Sequence, residues 1–230
     1  MNDPDIPAAL RLRRAFVIAA AALTGVLAFV SMMVDPAPEA DGPDMVAAYA
    51  ADLTASGLHT NLLHYGFALM APVVFAAVGL VRRRGAALAN VAGLLAVLGL
   101  TTLPGLVLTD FSMVAALRAT GDLETLAAMD REIESLTWFT VIVVPAFVGA
   151  LLAMPLAVTA LWRAGLVPGF VVPVAFVAGL APNFGPTWWS SWGPQLIGML
   201  LIAFYLARIP VEHWYGRTAA STVAHDEVTV

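Results

Sequence analysis

Six long apolar segments, separated by polar stretches, constrain the fold of this 230-residue sequence more than any other feature. Hydrophobic residues make up 60% of the chain and charged residues only 12%, against roughly 25% charged in an ordinary soluble domain. So few charges cannot cover an apolar core in water, and most segments approach the ~20 residues that a helix needs to cross a bilayer. The sequence therefore predicts an all-α, polytopic transmembrane helical bundle. The predicted spans are 15–34, 61–81, 86–108, 136–161, 166–182 and 192–207.

The basic residues, all of which are arginines, lie almost entirely on one side if every segment crosses the bilayer. Only Arg118 and Arg131 fall on the other side. Because arginine-rich loops stay in the cytoplasm, the pattern predicts that both termini are cytoplasmic. The absence of lysine, with abundant Ala, Val, Gly and Pro, is typical of a GC-rich bacterial genome and predicts a bacterial plasma membrane location. The arginines assigned to the cytoplasmic side are Arg11, Arg13, Arg14, Arg82, Arg83, Arg84, Arg163, Arg208 and Arg217.

Three regions follow from this topology: a cytoplasmic segment at 1–14, the transmembrane domain at 15–208 and a cytoplasmic tail at 209–230. The tail loses hydrophobic periodicity from residue 218, so we expect its end to be disordered. The first span follows an arginine cluster, as in a signal peptide. Its apolar run is longer than the roughly 7–15 residues of a signal h-region, and no A-x-A site follows. We therefore interpret it as a retained membrane helix.

Two long loops on the predicted outer side each contain apolar residues at helical spacing. We expect one amphipathic helix capped by Asp44 in the loop 35–60, and another that begins at Asp122 in the loop 109–135. Both would lie along the outer surface or over the mouth of the bundle. They either cover polar backbone or act as a gating lid. The apolar faces comprise Met45, Val46, Tyr49 and Leu53 in the first helix and Leu123, Leu126, Met129, Ile133 and Leu136 in the second.

Tryptophans support the same topology independently of charge, because an indole ring favours the headgroup region of a bilayer. Trp188, Trp189 and Trp192 lie in the predicted outer turn between the fifth and sixth spans. Trp138 and Trp162 lie at the two ends of the fourth span. The aromatic residues therefore mark the same membrane boundaries as the arginines.

Polar side chains inside apolar spans are costly, so each one suggests a function. His59, His64, Asp110 and Gln195 lie toward the outer ends of their helices and are predicted to form a polar vestibule there. Counting from the arginine hairpin places Asp110 level with His59, whereas His64 would face Thr101 or Thr102. A paired histidine and aspartate can relay protons or bind a cation. Ordinary interfacial hydrogen bonds and helix packing are the alternative interpretation.

The sequence offers no catalytic residue, cofactor site or metal site. The chain has no cysteine, which excludes thiolate ligands and cysteine nucleophiles. His59 and His64 are five residues apart, so a helix turns them about 140° from each other, whereas helical ligand pairs need three or four residues. His213 and His225 follow the last span, so they cannot pair with His59 or His64 around a haem. We expect a non-enzymatic protein, with an enzyme as the remaining alternative, and its formal charge of −5 disfavours nucleic acid as a partner.

The layout resembles a loose group of uncharacterised six-helix integral membrane proteins of actinobacteria. The resemblance covers most of the chain as a pattern of hydropathy with few fixed residues. It implies the six-helix fold and no mechanism, because the group has no established activity. The features that carry it are the helix with His64, the turn Arg82–Arg84, the third helix with Gly85, Gly93 and Gly99, the closing Asp110, an acidic outer helix and the inner turn Trp162–Arg163.

These features favour a structural or partner-binding membrane subunit. Its partners would be the lipid bilayer and either further copies of the chain or another membrane protein. A small-solute or cation carrier with an outer polar vestibule is the alternative. Pairs of small residues four apart allow helices to approach closely. These pairs are Ala21/Gly25, Ala89/Gly93, Gly149/Ala153 and Ala175/Gly179.

Overall fold

The structure, a computed structural model, describes residues 7–215 and is all-helical over that range. The predicted disorder from residue 218, Arg217 and His225 lie outside these residues. The eleven helices of the described range are α1 (Ala8–Val34), α2 (Gly42–Ala51), α3 (Leu53–Leu80), α4 (Ala86–Gly99), α5 (Leu103–Val107), α6 (Thr109–Thr120), α7 (Leu123–Ser135), α8 (Thr137–Arg163), α9 (Val171–Phe184), α10 (Trp188–Arg208) and α11 (Val211–Tyr215).

Five helical stretches of the described chain are long and apolar enough to cross a membrane. They are α1, α3, the run Ala86–Thr120, α8 and α10. The predicted fifth span corresponds to α9, which is apolar but has only 14 residues. At 1.5 Å per residue it is about 21 Å long, short of the roughly 30 Å hydrocarbon core. The all-helical class is therefore confirmed, with five helical stretches long and apolar enough to span a membrane and one short apolar helix.

Two helices begin earlier than their predicted spans. α1 starts at Ala8 rather than residue 15 and includes the arginine cluster. The Arg14 side chain donates to the Ala207 carbonyl at 2.5 Å, which joins the start of α1 to the end of α10. α3 starts at Leu53 rather than residue 61, because the Asp52 carboxylate accepts from the backbone N–H groups of Thr54 and Ala55. The aspartate at the cap position stabilises a helix start that lies about two turns before the predicted one.

The third predicted span is not one continuous helix. α4 ends at Gly99, and α5 begins after a short turn with Pro104 in its first turn. Proline lacks the N–H that would continue the α4 hydrogen bonds, so the helix restarts there. α6 then extends the apolar run to Thr120, in a region where the sequence predicted a loop.

The two amphipathic loop helices are present, with one correction. Asp122 caps α7 as predicted, since its carboxylate accepts from the Thr125 N–H. Asp44 does not cap α2: it lies in the first turn, and Asp41 occupies the cap position without a side-chain bond. α2, α6 and α7 pack together, and we call these three helices the outer cap after the side of the membrane predicted for their loops. Their shared apolar cluster comprises Val46, Tyr49, Val114 and Leu126.

The bundle is built from neighbouring helices in the order α3, α1, α10, α9, α8 and α4, with α4 also contacting α3. α1 lies between α3 and α10 and buries Ala21 and Ala28 almost completely. α1 is therefore an integral part of the helical bundle. The arginine-rich ends meet at one end of the bundle, as the Arg14–Ala207 bond shows. The outer cap lies at the other end, where the Glu39 carboxylate accepts from the Trp188 N–H at 2.9 Å.

Small residues allow the closest helix crossings. A Cβ added at Gly149 of α8 would meet the Leu95 carbonyl and lie 2.6 Å from the Gly99 nitrogen of α4. A Cβ at Gly25 of α1 would lie 2.9 Å from the Met199 Cβ of α10. Of the four predicted small-residue pairs, Ala89/Gly93 is the exception, since a Cβ at Gly93 would meet only Val78 at ordinary distance. Close backbone approach replaces large side chains as the source of packing energy at these crossings.

Candidate functional site

A buried polar cluster joins the end of α1 to the outer cap and to α3. The Asp35 carboxylate accepts from the Ala37 N–H at 2.9 Å and from the Tyr49 hydroxyl at 3.4 Å, and lies 3.5 Å from Nδ1 of His59. The side chains of Asp35 and His59 are only 4% and 5% exposed. The Ser56 hydroxyl donates to the Tyr49 carbonyl at 3.1 Å. We call Asp35, Tyr49, Ser56 and His59 the Asp35 cluster.

His59 is fixed in this cluster by a second contact, because its Nδ1 lies 3.0 Å from the carbonyl oxygen of Ser31. An Nδ1–H donates to that carbonyl in either the protonated ring or the matching neutral tautomer. The ring also lies against Tyr49, with centroids 5.7 Å apart. One nitrogen of His59 is therefore engaged with α1, and its orientation is set by neighbours on two other helices.

The surroundings of Tyr49 favour its neutral form. Burial of the hydroxyl raises the pKa of Tyr49, and the negative charge of Asp35 raises it further, with a smaller contribution from Asp110. A phenol that keeps its proton continues to donate to the Asp35 carboxylate. The hydrogen bond between α2 and α1 is therefore maintained at neutral pH.

Asp110 lies near the Asp35 cluster but outside it. His59 and Asp35 are close enough for their charges to act on its carboxyl group, and the shared level of His59 and Asp110 stays a prediction. In the structure, His59 contacts Asp35 and Ser31 and makes no direct bond to Asp110. Asp110 lines a separate cavity of about 140 Å³ between α2, α6 and α7, together with Asp130.

His64 is held by the backbone of the interrupted third span. Its Nδ1 lies 2.7 Å from the carbonyl oxygen of Pro104. The prediction placed it opposite Thr101 or Thr102, so the observed partner is one turn or less further along the chain. In a continuous helix the Pro104 carbonyl would accept from the Leu108 N–H, but at the end of α5 that N–H donates to the Gly105 carbonyl instead. The contact with His64 satisfies the Pro104 carbonyl.

Gln195 lies apart from the other three predicted residues, inside the bundle. It lines a cavity of about 210 Å³, which α3, α5, α8, α9 and α10 surround. Gln195 is 4% exposed, and its Oε1 has no hydrogen-bond partner among the described residues. A buried carbonyl without a partner costs about 1–3 kcal/mol. Of the four predicted site residues, Gln195 alone has a fully buried side-chain oxygen or nitrogen without a partner among the described residues.

The structure thus brings together only part of the predicted vestibule. His59 and Asp110 lie within electrostatic range of each other, whereas His64 and Gln195 occupy separate surroundings. The prediction missed the roles of Asp35, Tyr49 and Ser56, although Asp35 directly follows the first span. A carboxylate at that position can accept hydrogen bonds near the end of the helix, and this was the available signal. Whether any of these residues binds a solute stays a prediction.

Within residues 7–215, no group of three or more His, Asp or Glu side chains is placed to hold a metal ion. Comparisons with known proteins give no further guide to the chemistry. No family model matches the chain, and neither a curated protein nor a solved structure is similar to it.

Proposed function

We propose that the protein is a non-enzymatic structural or partner-binding subunit of the bacterial plasma membrane. The observation that carries this proposal is how the polar side chains at the cap end are used. His59 bonds the Ser31 carbonyl and His64 bonds the Pro104 carbonyl, while Asp35 joins α1 to α2. Groups that hold the chain to itself stabilise a fixed shape, whereas a solute pathway needs polar groups that face an open cavity.

The proposed topology has six crossings with both termini in the cytoplasm and the outer cap outside. It is supported by the arginines, which gather at the end of the bundle where Arg14 contacts Ala207. α9 would make the fifth crossing despite its length. A short helix can be accommodated by local thinning of the bilayer at a modest cost, and the tight contact of Gly198 with Ala178 holds α9 against α10.

The proposed function predicts a stable assembly that does not move solutes. We would purify the protein in mild detergent and measure its subunit number and partners by native mass spectrometry. The same preparation would be placed in liposomes and tested for proton and monovalent-cation flux. We expect an oligomer or a complex with a second membrane protein, and flux equal to that of empty liposomes. A monomer without partners that moves a cation would contradict the proposal.

A small-solute carrier is the second candidate, and the cavity that Gln195 lines is the observation that favours it. None of the described residues that line this cavity is charged, so the solute would be neutral. An Asp110→Asn variant separates this candidate from the cation carrier predicted from the sequence. Cation transport through the cap end would fall in that variant, whereas uptake of a neutral solute through the bundle cavity would remain.

A further inference from the structure

We propose that the bundle cavity is a binding site for an amphipathic molecule with an aliphatic body and one neutral hydrogen-bond donor, which Gln195 recognises. The inference is independent of the proposed structural role, since a subunit without transport activity can hold such a molecule. It rests on three features of the described residues: the size and lining of the cavity, the unsatisfied Gln195 carbonyl, and the exposed residues at its rim.

The cavity is large enough for a ligand and apolar enough to exclude water. Its volume is about 210 Å³, larger than the roughly 150 Å³ engineered cavity that stays dry and binds benzene. Leu63, Leu151 and Met154 supply aliphatic walls. Phe67 and Trp192 form an edge-to-face pair, with ring centroids 6.2 Å apart, on another side. Such a lining suits an aliphatic chain or a ring.

Gln195 determines which polar group that ligand would carry. It lies seven residues after Trp188, the first residue of α10, which is about 10 Å along the helix axis. At that depth its Oε1 is buried without a partner. A carbonyl oxygen accepts hydrogen bonds, so the complementary group is an O–H or N–H. The absence of charged residues from the described lining favours a neutral donor.

Water is a poor substitute for such a ligand at this site. A buried water needs two to four polar partners. Apart from Gln195, the polar side chains of the lining are Asn183 at the end of α9 and the indole of Trp192. An amphipathic ligand needs only one acceptor for its donor and can cover the rest of the apolar wall. The geometry therefore favours a ligand with one polar group over a cluster of waters.

Exposed residues on the lining show where a molecule can enter. Phe147 of α8 is 44% exposed, and Asn183 of the neighbouring α9 is also exposed. Both lie toward the cap end, so entry would be between the outer halves of these two helices. A lipid that carries a hydroxyl group could enter from the bilayer, and a free medium-chain alcohol has the same chemistry.

Photolabelling in lipid nanodiscs tests this site. The probe is dodecanol with a terminal diazirine, and the control probe is dodecane with the same diazirine. We expect dodecanol to label residues of the lining such as Phe147 and Leu151. Gln195→Leu should reduce this labelling about fivefold, the effect of losing one buried hydrogen bond, and leave dodecane labelling unchanged. Asn90→Leu is the matched control, because Asn90 is an exposed amide of α4 outside the cavity, and it should not change the labelling.

Competition on the wild-type chain keeps the test decisive if Gln195→Leu does not fold. Excess unlabelled dodecanol should abolish labelling of the lining, whereas dodecane should not. Native mass spectrometry of protein from its own membranes then separates the two sources. A retained lipid mass identifies a bilayer lipid, and specific dodecanol labelling without a retained lipid identifies a free molecule. Equal labelling of wild type and Gln195→Leu, or labelling confined to lipid-facing residues such as Val177, overturns the proposal.

Discussion

The crossing of α4 and α8 at Gly99 and Gly149 predicts a large effect from a single methyl group. In Gly149→Ala the new Cβ would lie 2.6 Å from the Gly99 nitrogen and closer still to the Leu95 carbonyl. Both neighbours are backbone atoms, so they cannot move aside as a side chain would. Overpacking of this kind costs about 1–3 kcal/mol, while alanine regains about 0.5–1 kcal/mol of helix propensity. We expect a net loss of about 1–2 kcal/mol.

Gly57→Ala is the matched control, since Gly57 also lies within a helix but has no atom within 4 Å of an added Cβ. It should be neutral or slightly stabilising. Thermal unfolding of both variants in the same detergent can be followed by tryptophan fluorescence. The Tm should differ by roughly 2–8 °C, from about 2–4 °C per kcal/mol for a chain of this size. A Gly149→Ala variant as stable as Gly57→Ala would refute the close crossing.

Two predictions concern the Asp35 cluster. Asp35→Leu should lower the free energy of unfolding by roughly 3 kcal/mol, because it leaves the Tyr49 hydroxyl and the Ala37 N–H without their acceptor and removes the charge beside His59. Equal stability of this variant and Asp44→Ala, which removes an exposed acid of the same region, would contradict the cluster. Burial and the Asp35 charge raise the pKa of Tyr49 above its ordinary 10.0, so the folded chain holds that proton more tightly than the unfolded chain. The stability from this group is complete below about pH 10 and declines as the pH rises further. Tyr49→Phe should reduce that decline in a pH series of denaturation midpoints, and an unchanged alkaline limb would exclude the effect.

Hydropathy and charge predicted the helical membrane class because both properties can be determined from short stretches of sequence. Each predicted span contains helix, although the third is interrupted and the fifth is short, and Asp122 caps α7 as its spacing indicated. The restart at Leu103 was signalled by Pro104, but the continuation of α6 to Thr120 depends on contacts with α2 that lie far apart in the sequence. Local patterns do not report such contacts.

The contacts of the polar residues also could not be predicted from local sequence patterns. Counting residues along α3 predicted only the level of His59 relative to Asp110. It did not show which way the ring faces around the helix axis, and that direction selects Ser31 and Asp35 as its contacts. Gln195 was assigned to a polar vestibule because it is polar, although its neighbours in the structure are mostly apolar. The side chains around a residue follow from helix packing, which one sequence does not specify.

The most direct test of the proposed membrane topology uses the absence of cysteine from the chain. Single cysteines introduced by Arg83→Cys, Ala164→Cys, Glu124→Cys and Pro186→Cys would be treated in intact cells with a membrane-impermeant maleimide. Six crossings with cytoplasmic termini predict labelling from outside at positions 124 and 186, and at 83 and 164 only after the cells are opened. Labelling of positions 164 and 186 from the same side would show that α9 does not cross, and would contradict the six-span account.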